Sequence, residues 1–166
     1  MTTEPAATRA RSVIAGNNYF VLATQDDEGP WAAALAFTRV APNYLCFFSE
    51  RTSRHGAAIA DGAPVAGVIY NSQAAPEDVE SIQFSGWGEL AHDRETIGAV
   101  LRAAHAHADN PPPTDEEIES HLKKEATPLF RVSVEKAYVL DQHLYNDKGT
   151  DAREPVDPAV LFSSDG

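Results

Sequence analysis

Arg51, Ser53, Arg54 and His55 fall within five residues of one another, in the stretch FFSERTSRHGAAIADG, where an apolar run gives way to helix-forming residues. Two guanidinium groups, an imidazole and hydroxyls at a helix start are the chemistry of an anion seat. The first N–H groups of a helix have no intrahelical partner and its dipole places positive charge there, so a phosphate is a natural guest. Thr52 or Ser53 can cap this helix, Ala57, Ala58, Ile59 and Ala60 continue it, and Asp61-Gly62 ends it. A guanidinium on a phosphate contributes about 1.5–3 kcal/mol per charge-assisted hydrogen bond, enough for micromolar binding when two act together. The plain alternative, which spacing leaves open, is an exposed helix start with a satisfied cap and solvated arginines.

The rest of the composition makes this cluster stand out. Asp and Glu outnumber Lys and Arg 25 to 13 in 166 residues, a formal net charge of −12, which excludes a nucleic-acid binder that must neutralise phosphates over a broad face. Any anion has to be held by a focused patch. Cys46, the single cysteine, lies between Leu45 and Phe47, so no intrachain disulfide forms and a buried, inert thiol in a reducing cytoplasm is expected. No apolar stretch is long enough to span a bilayer, and the start, MTTEPAATRARSVIAG, lacks the apolar core of a secretory signal; no membrane partner is expected.

The elements that position the cluster follow from periodicity. A helix is expected over 6–15, ended by Gly16-Asn17, then strands over 19–25 and 31–40 joined by DDEGP, and a third over 44–49 after Ala41-Pro42-Asn43. The short helix at Ser53 leads to a strand over 64–72, an acidic loop over 74–80 and a glycine-containing strand over 81–92. From Asp93, Ile97, Val100, Leu101, Ala104 and Ala108 recur at helical spacing until three prolines stop them, and Thr114 with Glu117 forms a capping-box pattern for a helix ending near Ala126. A sixth strand runs from Phe130 to Leu140. The segment 146–166 reads as a loop-like tail on a single domain over 1–145, with 159–162 able to dock on a neighbour. Six strands with helical excursions give an α+β chain, a six-stranded antiparallel β-barrel with flanking helices. A small barrel is filled by its own side chains, so a ligand sits outside it or between subunits.

Other chemistry is sparse. His105 and His107, two apart on a helix, point to different faces and make no metal pair. Gly86-Trp87-Gly88 lacks the rest of a dinucleotide fingerprint. Trp31 and Trp87 can stack on a flat ligand or pack at a core or interface.

The order of these segments resembles the FMN-binding split-barrel family typified by pyridoxamine 5'-phosphate oxidase, over about residues 18–142. The carriers of the resemblance are GPWAAALAFTR, FFSERTSRH, APVAGVIYN, QFSGWGEL and LFRVSVEKAYVLD, and TSRH, APVAG and QFSG look most like a bacterial subgroup without an assigned reaction. The resemblance implies that Ala34, Leu35, Ala36, Phe37, Thr38 and Arg39 run beside the isoalloxazine, that Phe48 and Ser49 are the next strand's contacts, and that Ser53, Arg54 and His55 hold the phosphate. His55 stands where a lysine is usual. Gln83 matches a glutamine that reaches the flavin. It further implies a homodimer with the cofactor at its interface, and a cytoplasmic oxidoreductase acting on a small-molecule substrate.

Departures narrow this. Ala34 replaces an arginine that the oxidases carry, and their C-terminal arginine and tryptophan motif is absent from 145–166, so pyridoxamine phosphate oxidation is not expected. Relatives use deazaflavin F420 or haem in place of FMN, and a non-catalytic flavin-binding module is the further alternative. No catalytic side chain is assigned, because a flavin performs the hydride transfer while the protein orients it.

Overall fold

The computed structural model describes residues 4–75 and 78–163. Of the expected 74–80 loop, Pro76 and Glu77 lie outside the described residues, as does the end of the tail from Ser164. Helix α1 (Ala6–Ala15) buries Ala10, Val13 and Ile14, spaced at one helical face. Strands β1 (Tyr19–Asp26) and β2 (Gly29–Ala36) form a tight hairpin in which Asp26 faces Gly29, whose φ of 113° only glycine adopts without strain.

The expected strand over 31–40 is broken at Phe37. Its second half is β3 (Thr38–Val40), followed by β4 (Tyr44–Phe48), α2 (Arg54–Ile59), β5 (Ala63–Tyr70), β6 (Ser81–Leu90), α3 (Arg94–His107), α4 (Asp115–Leu122) and β7 (Leu129–Leu140). The strand order is β2-β1-β5-β6-β7-β4-β3, all neighbours antiparallel. The two ends of the sheet are therefore two halves of one stretch of chain. Phe37 is where the backbone changes partner from β1 to β4, and the sheet curls around to meet itself, a split barrel in an α+β chain.

Alternation along the strands explains the interior. Phe20 and Leu22 of β1, Leu45 and Phe47 of β4, Ile82 and Phe84 of β6, and Phe130 and Val132 of β7 are buried. Phe20 lies edge-on to Phe37 and Phe47, with centroids 5.7 Å away in each case, and Phe47 stacks on Phe130 at 5.4 Å. At Gly86 the β6–β7 register slips around a bulge, and a Cβ there would lie 1.9 Å from the Ser133 carbonyl oxygen, so the position admits glycine alone.

Outside the barrel the two sides differ. Over β3 and β4, α3 and α4 lay down Ile97, Val100, Leu101 and Ile118 against Cys46 and Leu129. This second cover makes Leu45, Cys46 and Phe47 a continuous buried run. Burial pushes the Cys46 thiol up to about 12. Iodoacetamide at about pH 8 should leave Cys46 unmodified in the folded protein and label it in urea; rapid native labelling would show that α3 leaves the strand. By contrast, Tyr19, Ala23, Ala34, Ala36, Ala66, Tyr70 and Trp87, on β2, β1, β5 and β6, are exposed.

The tail differs from the expectation of a loop. It forms α5 (Gln142–Lys148), β8 (Arg153–Val156), which pairs with β7, and α6 (Ala159–Phe162). Val156 and Leu161 are buried, so the segment expected to dock does so on its own chain. Arg9 of α1 grips it, donating to Glu154 Oε2 at 2.9 Å, to the Leu140 carbonyl at 2.8 Å and to Glu80 Oε1 at 3.3 Å. β8 and the break at Phe37 raise the count from six strands to eight. α4 ends at Leu122, short of Ala126.

Candidate functional site

Strand β4 ends at Phe48 and the chain turns through residues 49–53 into α2. Ser53, not Thr52, is the N-cap, its backbone extended and its Oγ accepting from Gly56 N–H at 3.1 Å while donating to the Glu50 carbonyl at 2.8 Å. Gly56 fits because a Cβ there would lie 2.5 Å from the Glu50 oxygen. Ser49 Oγ lies 2.8 Å from His55 Nε2 and 3.3 Å from Ser53 Oγ, and Ser53 Oγ lies 3.2 Å from the same nitrogen. Two hydroxyls and one imidazole thus converge. Helix α2 has six residues, so its dipole is short and the side chains carry the chemistry.

The His55 ring is half-buried beside Phe47, and burial lowers its pKa below the usual 6.5. It is neutral at pH 7. The unfolded chain takes up the proton first on acidification, so this group's contribution is intact above about pH 6.5 and is lost as pH falls toward the lowered value. The urea midpoint of His55→Gln should therefore fall less than that of the parent between pH 7 and about pH 5; parallel profiles would show that His55 is not desolvated.

Arg54 takes a different direction from the hydroxyls. Its Nε and Nη2 donate to the two carboxylate oxygens of Asp26 at 2.7 and 2.9 Å, Nη2 also reaches the Gly29 carbonyl at 3.3 Å, and the guanidinium lies 4.8 Å over the Trp31 ring. The hydrogen bond from Arg54 holds the Asp26 carboxyl below the usual carboxylate range, and the same bond raises Arg54. Nη1 faces Glu28 Oε2 at 3.8 Å. Asp26 is the partner of Arg54 that sequence reasoning missed: it lies in a hairpin more than 20 residues away, read only as a turn, and no spacing rule links it to Arg54. Trp31, read from the sequence as a stacking or packing residue, stacks against the guanidinium.

The remaining residues divide between two places. Ala36, Phe37 and Thr38 join Phe47 and Phe48 and, from α3, Val100 and Ala104 around a cavity of about 260 Å³. Ala34 lies on the open face, while Leu35 packs toward the core. β2 and β3 close the two ends of the strand order, so each pairs with a strand on one edge only, and the backbone groups of the other edge can meet a ligand. Arg39 Nη1 donates to the Leu161 carbonyl at 3.3 Å, which ties the site strand to α6. Gln83 is apart from the α2 cluster, on the outer face of β6, where its Oε1 accepts from Arg153 Nε at 2.7 Å. Among the described residues no three of His, Cys, Asp and Glu gather to hold a metal ion, and no helix is long and apolar enough to cross a membrane.

No family model matches the sequence, and no curated protein matches it. Solved structures do match. A heme binding protein from Mycobacterium smegmatis superposes with a TM-score of 0.66 at 18% identity over 97% of this chain, which spans 61% of that protein's length. A FAD and heme binding protein from the same organism gives 0.60 at 17% identity, over 90% of this chain and 81% of the other. A putative pyridoxamine 5'-phosphate oxidase from Listeria innocua gives 0.60 at 12%, over 81% of this chain and 98% of the other. At such identities the likeness is one of fold, and this chain has the split-barrel fold of the pyridoxamine 5'-phosphate oxidase-like proteins.

Proposed function

We propose that this chain is a homodimeric flavin-binding protein of oxidoreductase type that takes FMN and acts on a small molecule. One observation carries the reading: Phe48, which lines the apolar cavity with Ala36, Phe37 and Thr38, is joined by one peptide bond to Ser49, whose hydroxyl belongs to the cluster of Ser49, Ser53 and His55. A flat ring and a phosphate need such a pair of neighbouring environments. The hydroxyls are donors to phosphate oxygens, and Arg54, whose Nη1 faces the exposed Glu28 at 3.8 Å, is the neighbouring cation. When bound, the flavin would supply hydride acceptance; the chain's part is to seat the ring and exclude water. The second copy would cover the open face of Tyr19, Ala34, Ala66 and Tyr70, all of which are exposed.

Purified protein titrated with FMN should show the two visible flavin bands sharpening and shifting, with a dimer mass by light scattering; unchanged bands at saturating protein would remove the reading. A phosphate would reverse the burial effect on His55 and raise its pKa, so FMN binding takes up a proton and affinity falls as pH rises through the raised value. His55→Lys, charged to about pH 10, should flatten that fall.

A haem reading has one observation in its favour. His121 of α4 lies 5.7 Å from the Phe48 ring, with Nδ1 2.9 Å from the Glu117 carbonyl and Nε2 3.3 Å from Lys124 Nζ, which would have to give way for Nε2 to act as a ligand. A Soret band on adding hemin, lost in His121→Ala, would favour it. F420 also carries a phosphate, and the hydroxyl cluster serves either cofactor alike.

A further inference from the structure

We propose, on the footing of the flavin reading above, that Asp26 is a built-in competitor for the phosphate seat: an internal carboxylate that occupies Arg54 and sets how weakly the seat holds a phosphate. The geometry is specific. A guanidinium has five N–H donors. In this chain the Nε–H and both donors of Nη2 are directed to Asp26 and the Gly29 carbonyl, while Nη1 faces Glu28. The edge that grips a phosphate with two parallel bonds is thus already gripping a carboxylate.

Charge leads to the same result. Arg54 is shared by two carboxylates, Asp26 and Glu28, and the imidazole that follows it is kept neutral by burial. The two carboxylates outweigh the one guanidinium they share, and a phosphate approaching Arg54 meets repulsion from Asp26. Trp31 lies against the guanidinium at 4.8 Å, and offering the Nε–Nη2 edge to a phosphate would require Arg54 to give up both bonds to Asp26. The hairpin supplies the competitor: Asp26 is the last residue of β1, and the turn through Gly29 keeps it facing α2.

Asn in place of Asp26 is isosteric and keeps one oxygen for Arg54 while removing the charge. The test titrates inorganic phosphate, at constant ionic strength, into wild type, Asp26→Asn and Asp26→Asn/Arg54→Ala. Asp26→Asn should bind phosphate about tenfold more tightly than wild type, and the double variant should lose the gain. Equal affinity of wild type and Asp26→Asn, or weaker binding by Asp26→Asn, would overturn the proposal, the latter by showing that Asp26 only positions Arg54. Should Asp26→Asn fail to fold, the exposed Glu28→Gln takes its place, with a smaller gain expected and no gain counting against. Parallel titration with FMN and riboflavin separates the two claims. Phosphate results as expected with neither flavin bound would sink the flavin reading alone; an FMN preference over riboflavin that is unchanged in Asp26→Asn would sink the competitor alone.

Discussion

Phe20→Ala should cost about 3–5 kcal/mol of folding stability, because the ring is 1% exposed and the space it leaves is walled by strands on every side. The neighbours it would abandon are Phe37, Phe47 and Phe84, with ring centroids 5.7, 5.7 and 5.9 Å away. Phe37 and Phe47 line the site cavity on their other sides, so the loss should reach function as well. Urea denaturation gives the stability and ligand titration the second effect. Tyr19, the preceding residue, is 63% exposed, and Tyr19→Ala should stay within about 0.5 kcal/mol in the monomer. Equal losses for the two would mean that strand propensity, not burial, holds this barrel.

A second large effect is expected at Arg9. The side chain is 5% exposed and ties three separate segments together through Glu80, the Leu140 carbonyl and Glu154. Removing one partner from a buried network costs about 3–5 kcal/mol, and Arg9→Ala should lose an amount of this order, with β8 and α6 the first elements to exchange amide hydrogens. The loss should depend on pH. Burial already raises the Glu80 carboxyl above its usual range, and Arg9 opposes that rise by charge and hydrogen bond. Without Arg9 the folded-state pKa climbs further, so the native state binds the proton more readily than the unfolded chain. Stability is then kept at pH below the unfolded value and lost as pH rises through the folded one. Arg9→Ala should be less stable relative to wild type at pH 8 than at about pH 5. A deficit independent of pH would place the cost in lost packing instead.

Much of the fold was legible because it rests on local regularities. The helix at Ala10, Val13 and Ile14, the alternation of Phe20 and Leu22, and the Thr114–Glu117 capping box are each set within a few residues, and each forms as expected. The break at Phe37 was not legible, since it arises from a change of hydrogen-bonding partner between β1 and β4. The tail misled for a related reason. Its polar composition reads as loop, and only the open edge of β7 and the buried seats for Val156 and Leu161 make β8 and α6 worth their entropy.

The site divides along the same line. By itself the sequence determined which groups are available, an Arg-His pair after a strand, hydroxyls at a cap, small residues on a facing strand, because residue type and spacing along one stretch of backbone decide them. Only the tertiary structure decided their electrical state and company. Arg54 is paired because a hairpin 28 residues earlier delivers Asp26 to it, and His55 is neutral because Phe47 and the barrel end exclude water from its ring. Charge, desolvation and competition between partners depend on distances through space, and those exist only once the sheet has closed on itself.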